Sequence, residues 1–326
     1  MPTRRTCLLL EFFLYAVGMG NPHVPVAIKL VIVTMFDPPA TAGSWPSELT
    51  RWVERVPLPE RLAFPLGERE LRLNRERGVL AVVTGVGNTK AAATIMALGL
   101  DARFDLSRSY WLVAGIAGAD PDAMTLGSAA WADWVVDGDL AHDIDPREMP
   151  PEWPAGRVPL GKSAPYEPPP STLTATMAWR LNPALVDRAY RLTRAVALGD
   201  GATVLTGAVL ASNSLWHGAL LNRWAAAWVR YWTAGDGRFV AAAMEDAGIV
   251  SSLHALARTG RVERERLLIL RTASNYVVPP AGVAAAESLA GEMREGFSAH
   301  DPALEAAWRV GAVVMEELIS QWEKYG

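Results

Sequence analysis

The sequence predicts an α/β fold, a largely parallel sheet covered by helices on both faces, on three observations. Short, nearly continuous β-branched runs recur along the chain, as strands buried on both faces require. Stretches with helical spacing alternate with them. With 50% hydrophobic and 20% charged residues in a chain of 326, there is material for one sizeable core.

The run Lys29–Phe36 (KLVIVTMF) opens the set of strands. Gly78–Thr84, Tyr110–Ala114, Ser128–Val136, Ala202–Thr206, Phe239–Met244 and Leu267–Arg271 follow. Helices are expected over Thr89–Leu100, Ser214–Tyr231 and Glu245–Arg258, and Pro302–Lys324 closes the fold. Two segments break the alternation: Gly43–Glu60, which carries Trp45 and Trp52, and His142–Pro170, which holds nine prolines. A loop that long is usually functional, as a lid or interface element, or disordered. No repeat and no clean linker divides the chain, so residues 28–326 read as one domain with a Pro-rich insertion at 142–170.

Residues 1–20 read apart. Arg4-Arg5, an apolar run from Cys7 to Val17 and small residues around Gly18 and Gly20 have the layout of a signal peptide, which would make the protein periplasmic or secreted. Glu11 inside the run opposes membrane insertion, and without a working signal the protein stays cytoplasmic. The net charge of −4 and the lack of a Lys/Arg cluster argue against a nucleic-acid partner. Cys7 is the sole cysteine, so there is no intramolecular disulfide and no cysteine-based zinc site. The five histidines lack metal-ligand spacing, and neither a metal nor a cofactor is expected.

In open α/β sheets ligands sit beyond the carboxyl ends of the strands. After the second run comes Thr84-Gly85-Val86-Gly87-Asn88-Thr89-Lys90, where two glycines let a ligand approach the backbone at a helix N-terminus. Such a turn is as often a plain strand–helix connection, and GxGxxG fails at Lys90. After the third comes Ala114-Gly115-Ile116-Ala117-Gly118-Ala119, read as a second small-residue turn. Met244 and Glu245 close the sixth run, where a carboxylate can accept two hydrogen bonds from a vicinal diol; its bland alternative is an acid in a helix's first turn. Ser274-Asn275 follow the seventh, where Asn275 grips a heterocycle edge or makes an Asx turn.

The blocks TGVG, WLVAGIAG, AWADWVVDGDLAHDID, AAMEDAG and LRTASNY together resemble the purine nucleoside permease family from about Lys29 to Tyr325 and, behind it, the nucleoside phosphorylase and nucleosidase superfamily. The resemblance implies a three-layer α/β/α sandwich around a mixed, partly barrel-like sheet, with a purine nucleoside as ligand and a homo-oligomer allowed. It puts Glu245 on the ribose hydroxyls with Met244 under the sugar, Asn275 on purine N7 beside Ser274, and Thr84, Gly85, Gly87, Ala114 and Gly115 on the side of the attacking group. Trp216 becomes the candidate to stack on the base, and Asp37 matches the acid that activates water in nucleosidases. Neither glycine turn carries an arginine, Lys90 is the only nearby cation, and Pro38-Pro39 offer no N–H to a phosphate. Water is therefore expected to attack rather than phosphate, with Asp37, Glu245 and Asn275 as the catalytic set. The alternatives are a nucleoside transport component and a non-catalytic nucleoside-binding protein, the latter because Val277-Val278 stand where the family usually shows an acid.

Overall fold

The computed structural model describes residues 24–38, 45–167, 176–199, 201–292 and 299–325. The expected leader at 1–20 and the end of the Pro-rich insertion lie outside them. In chain order the strands are β1 (Val26–Ala27), β2 (Leu30–Thr34), β3 (Glu60–Leu62), β4 (Leu71–Asn74), β5 (Val79–Val83), β6 (Phe104–Asp105) and β7 (Tyr110–Ala119). There follow β8 (Ala129–Asp137), β9 (Ala141–Asp143), β10 (Arg157–Pro159), β11 (Ala178–Arg180), β12 (Val204–Ala211), β13 (Phe239–Ala243) and β14 (Leu267–Tyr276). The helices are α1 (Thr50–Arg55), α2 (Asn88–Gly99), α3 (Pro183–Thr193), α4 (Ala219–Trp232), α5 (Asp246–Ala257), α6 (Ala285–Glu292), α7 (His300–Ser320) and α8 (Trp322–Tyr325). None is long and apolar enough to cross a membrane among the described residues.

Every residue of β2 and β5 is buried, as their Val/Ile/Leu content requires of strands covered on both sides. Ten strands form the main sheet in the order β11-β8-β12-β13-β7-β2-β5-β4-β3, and β14 pairs with both β7 and β8. That double pairing closes β8, β12, β13, β7 and β14 into a ring, so the sheet is mixed and partly a barrel. The strand β7 makes the closure: Leu30–Val33 pair along its first half, and its end turns to pair antiparallel with β13. Hence Ala114–Ala119, expected as a turn, continue the strand, their small side chains leaving room where the ring closes.

Helix α7 lays Ala303, Ala307, Val310, Val314 and Leu318 against the sheet at helical spacing. Helices α2 and α5 pack on each other after the ends of β5 and β13. Their contact is close: a Cβ on Gly248 would stand 2.2 Å from the Asn88 carbonyl oxygen. Gly248→Ala should therefore cost about 1–3 kcal/mol by overpacking, read as a lower denaturant midpoint with an unchanged slope; an unshifted midpoint would show that the contact is relieved at no cost.

The expected helix over Ser214–Tyr231 starts later, at Ala219, and carries Trp224, Trp228 and Trp232 on one face. With Trp216 and Phe239 they build a second apolar cluster, and Arg157 of the β9–β10 hairpin lies over the Trp224 ring. The Pro-rich insertion thus has a hairpin of its own in its described part. Neither the hairpin β3–β4 nor helix α3 is among the expected elements, although Asn182 caps the helix ahead of Pro183 and Val186, Ala189 and Thr193 are buried at helical spacing.

Candidate functional site

A carboxylate that sequence reasoning passed over lies at the centre of the site. Glu48 precedes α1 and is 4% exposed. Its Oε2 accepts from the Met35 N–H at 2.7 Å and the Phe36 N–H at 3.0 Å, and its Oε1 from the Ile116 N–H at 2.8 Å. Three backbone donors therefore fix it beyond the end of β2 and against β7. Gly115 makes room: a Cβ there would fall 2.7 Å from Glu48 Oε1 and 2.1 Å from the Met35 methyl. Burial pushes the Glu48 carboxyl up to about 7, with the neighbouring Arg271 pulling the other way.

Arg271, on β14 and 1% exposed, is the second residue the sequence did not single out. Its Nε donates to Asp246 Oδ2 at 3.0 Å, its Nη2 to Glu245 Oε2 at 3.0 Å, and its Nη1 to the Ile116 carbonyl at 3.1 Å. Burial works against its charge, yet Asp246 and Glu245 hold its proton more tightly than usual. Glu245 is buried too, and its Oε1 accepts from the Gly87 N–H at 3.2 Å. Burial raises its carboxyl, Arg271 opposes, and Asp246 adds to the rise. Three acids thus surround one guanidinium, two of them pressed toward their neutral forms.

The pocket over this network is lined by Phe36, Glu48, Val86, Gly118, Leu215, Met244, Glu245, Arg271, Ser274 and Asn275, among others. One extra residue in β14, between the pairs Ala273–Ala117 and Asn275–Gly118, is Ser274; such a bulge re-aims the side chains next to it. Ser274 Oγ then bonds the Ala117 carbonyl at 3.3 Å and Asn275 Oδ1 at 3.0 Å. The Asn275 amide thus has its oxygen engaged by Ser274, while its NH₂ group donates to the Tyr276 carbonyl at 3.5 Å.

The structure brings together Glu245, Met244, Ser274 and Asn275 as the sequence grouped them, with Gly87 holding Glu245 by its N–H and Gly115 beneath Glu48. Thr84 is fully buried, its hydroxyl on the Gly85 carbonyl at 3.0 Å, and Ala114 is buried in β7. Gly85, with φ of 76°, floors a neighbouring groove. Trp216 stands away from the pocket wall, edge-on to Trp224 at 5.5 Å, and Leu215 lines the wall instead. Asp37 lies in the adjoining groove, paired with Arg69 at 2.5 Å. Val277, buried, fills the space beside Gly118.

A family model described as purine nucleoside permease matches residues 27–203 and 200–326. A purine nucleoside permease of Candida albicans is 28% identical over 330 residues, spanning 94% of this chain and 78% of that protein. A probable purine nucleoside permease of Schizosaccharomyces pombe is 25% identical over 278 residues, 78% of this chain and 79% of that one. Among solved structures, the 5′-methylthioadenosine/S-adenosylhomocysteine nucleosidase of Neisseria meningitidis, bound to methylthio-immucillin-A, aligns with a TM-score of 0.56 at 16% identity over 90% of this chain and 99% of its own. The Colwellia psychrerythraea nucleosidase, in complex with adenine, gives 0.57 at 15% identity over 89% and 96%. At such identities the likeness is one of fold: the nucleoside phosphorylase-like α/β architecture.

Proposed function

The chain belongs to the purine nucleoside permease family, and from that premise we propose that its pocket binds a purine nucleoside and cleaves the N-glycosidic bond with water. The observation that carries this reading is Glu48: a buried carboxylate with its pKa near 7, fixed by three backbone N–H groups and facing the same pocket as Glu245. A general base works best with a pKa near the operating pH.

In the reaction, Glu245 accepts hydrogen bonds from the ribose 2′ and 3′ hydroxyls and Met244 packs under the sugar. The C1′–N9 bond breaks, its electron pair moving onto the purine, and positive charge builds on the ribosyl group. The Asn275 amide donates to N7 as negative charge grows there; an amide transfers no proton, so N7 takes its proton from solvent. A water oxygen bonds C1′ and gives its proton to Glu48. The products are ribose and the free purine. The role the sequence assigns to Asp37 passes in this proposal to Glu48, because Asp37 is engaged by Arg69 outside the pocket.

Adenosine, guanosine and inosine incubated with the purified protein should each be assayed for base and ribose, with and without inorganic phosphate. Release of free ribose without phosphate is expected. Ribose 1-phosphate as the sole product, made only when phosphate is present, overturns hydrolysis; tight binding without base release overturns catalysis. The relatives' names favour a second reading, a component of nucleoside uptake, in which the same pocket holds the cargo and base release is absent.

Glu245→Gln should weaken ribonucleoside binding by about 1–3 kcal/mol, the usual cost of losing a charge-assisted hydrogen bond. A 2′,3′-dideoxynucleoside should lose little, since it lacks the hydroxyls. Equal losses for both ligands, measured by calorimetry, would remove Glu245 from the ribose.

A further inference from the structure

Three backbone N–H groups fix the Glu48 carboxylate, but the stretch of chain that carries it has no ladder of its own. Residues 45–49 join no strand, and α1 begins only at Thr50. The Glu48 N–H donates to the Phe36 carbonyl at 3.0 Å, which secures one point. A group that takes part in a reaction loses rate steeply when it is misplaced, on the order of 10²-fold for 1 Å. What holds residues 45–48 is therefore part of the site.

The start of α7 supplies that hold. His300 is 6% exposed, and its Nε2 lies 2.9 Å from the Pro46 carbonyl oxygen. A carbonyl only accepts, so Nε2 carries the hydrogen. The ring also stands edge-on to Trp45, with centroids 4.8 Å apart, and to Phe36, at 5.7 Å. One side chain thus touches both stretches that form the Glu48 cradle: residues 45–46 just ahead of it, and Phe36, whose N–H the carboxylate accepts. One residue earlier, the Ala299 N–H donates to the Ser274 carbonyl at 2.7 Å. The same turn of chain is thereby tied to the bulge that carries Asn275.

Further ties between α1 and α7 lie downstream of Glu48. Arg51 and Arg55 pair with Asp301 and Glu305 at 3.4 and 2.8 Å, but these pairs are partly exposed, and exposed pairs hold little. Trp52 packs edge-on to Trp308 at 5.5 Å and sits over Gly311, where a Cβ would fall 2.8 Å from its ring. That packing fixes the helix; upstream of the carboxylate the buried tether is His300. We infer that His300 is a positioning residue for Glu48, holding residues 45–48 on α7 so that the carboxylate stays where it meets the attacking water. This inference rests on the hydrolytic reading of the pocket.

Base release by the full chain, followed with the best-cleaved of adenosine, inosine and guanosine, tests it in a cycle with Glu48. His300→Phe keeps a ring for Trp45 and Phe36 but has no donor for Pro46. His300→Gln returns a donor near the Nε2 position, and His300→Asn carries the same amide one methylene short. In His300→Phe and His300→Asn kcat should fall about tenfold with KM nearly unchanged, while His300→Gln stays within about threefold of the parent. In a Glu48→Gln background the same substitutions should cost no more than about twofold, since a residue that acts through Glu48 then has nothing left to position. A loss as large without Glu48 as with it makes His300 a part of the general packing and overturns the inference. So does a parental rate in His300→Phe and His300→Asn, or a His300→Gln variant no faster than His300→Asn. If His300→Phe fails to fold, His300→Asn against His300→Gln in both backgrounds decides. A parent that releases no base, or Glu48→Gln at the parental rate, overturns the hydrolytic reading itself and the inference with it.

Discussion

Glu48→Gln should slow release of the purine base by about 10²–10⁴-fold, the range that a positioned general base contributes, while the nucleoside still binds through Glu245. The argument runs through protonation. Glutamine keeps an oxygen for the Met35, Phe36 or Ile116 N–H groups but cannot take a proton from water. The unmutated protein tests the same group without a substitution. Glu48 acts only when ionised, and burial places its carboxyl at about 7. Its ionised fraction falls about tenfold for each pH unit below that value, so kcat/KM should climb with pH and level off above about 7. Asp37→Asn, outside the pocket and beside Arg69, should keep both the rate and the profile. A flat profile between roughly pH 5 and 8, or a Glu48→Gln variant that turns over at the parental rate, would take Glu48 out of the chemistry. Loss of rate in Asp37→Asn with Glu48→Gln unaffected would return the base to Asp37.

How much of this could be read before the structure depends on whether a residue's signal is local. The strands β2, β5, β8 and β13 announce themselves by continuous β-branched or small apolar runs, and α2 and α5 by the segments that follow them. Glu245 and Asn275 stand where strands end, so the rule that ligands sit at carboxyl ends finds them. Glu48 has no such marker. It sits between strand and helix in a segment without periodicity, and only the packing of that segment against β7 carries it to the pocket. Arg271 did leave a signal: an arginine inside the apolar run LLILRTAS has to find an acid once the strand is buried, because a buried charge is rarely left unpaired. The tryptophans at 224, 228 and 232 repeat at four-residue spacing, which marks a helix face in a core. Trp216 joins that face, and its nearness to the pocket in sequence gave no hint of it. The closure of the ring by β7 and β14 was legible only through the resemblance, since strand runs read singly do not say which partners they take on each side.

The same buried arginine yields the largest expected effect on stability. Arg271→Met removes the cation around which Glu48, Glu245 and Asp246 are gathered, and a partner deleted from a buried ion pair costs about 3–5 kcal/mol because the opposite charge is left uncompensated. Methionine fills much of the volume, so cavity formation is a minor part of the loss. The sign with pH follows from the acids. Without Arg271 their folded-state carboxyls rise further above the values of the unfolded chain, near 4, and an acid raised on folding contributes stability at low pH that is lost as pH increases through its folded value. The gap between parent and variant should therefore be widest above about pH 7, where Glu48 and Glu245 would both have to carry charge, and narrowest near pH 4.5. Arg271→Lys should fall between the two, keeping the charge but losing the fork that reaches Asp246, Glu245 and the Ile116 carbonyl together. Denaturant unfolding at several pH values measures all three proteins. A gap of under about 1 kcal/mol at pH 8 would mean that the three acids do not depend on Arg271. A large gap that stays constant with pH would assign the loss to packing instead of charge.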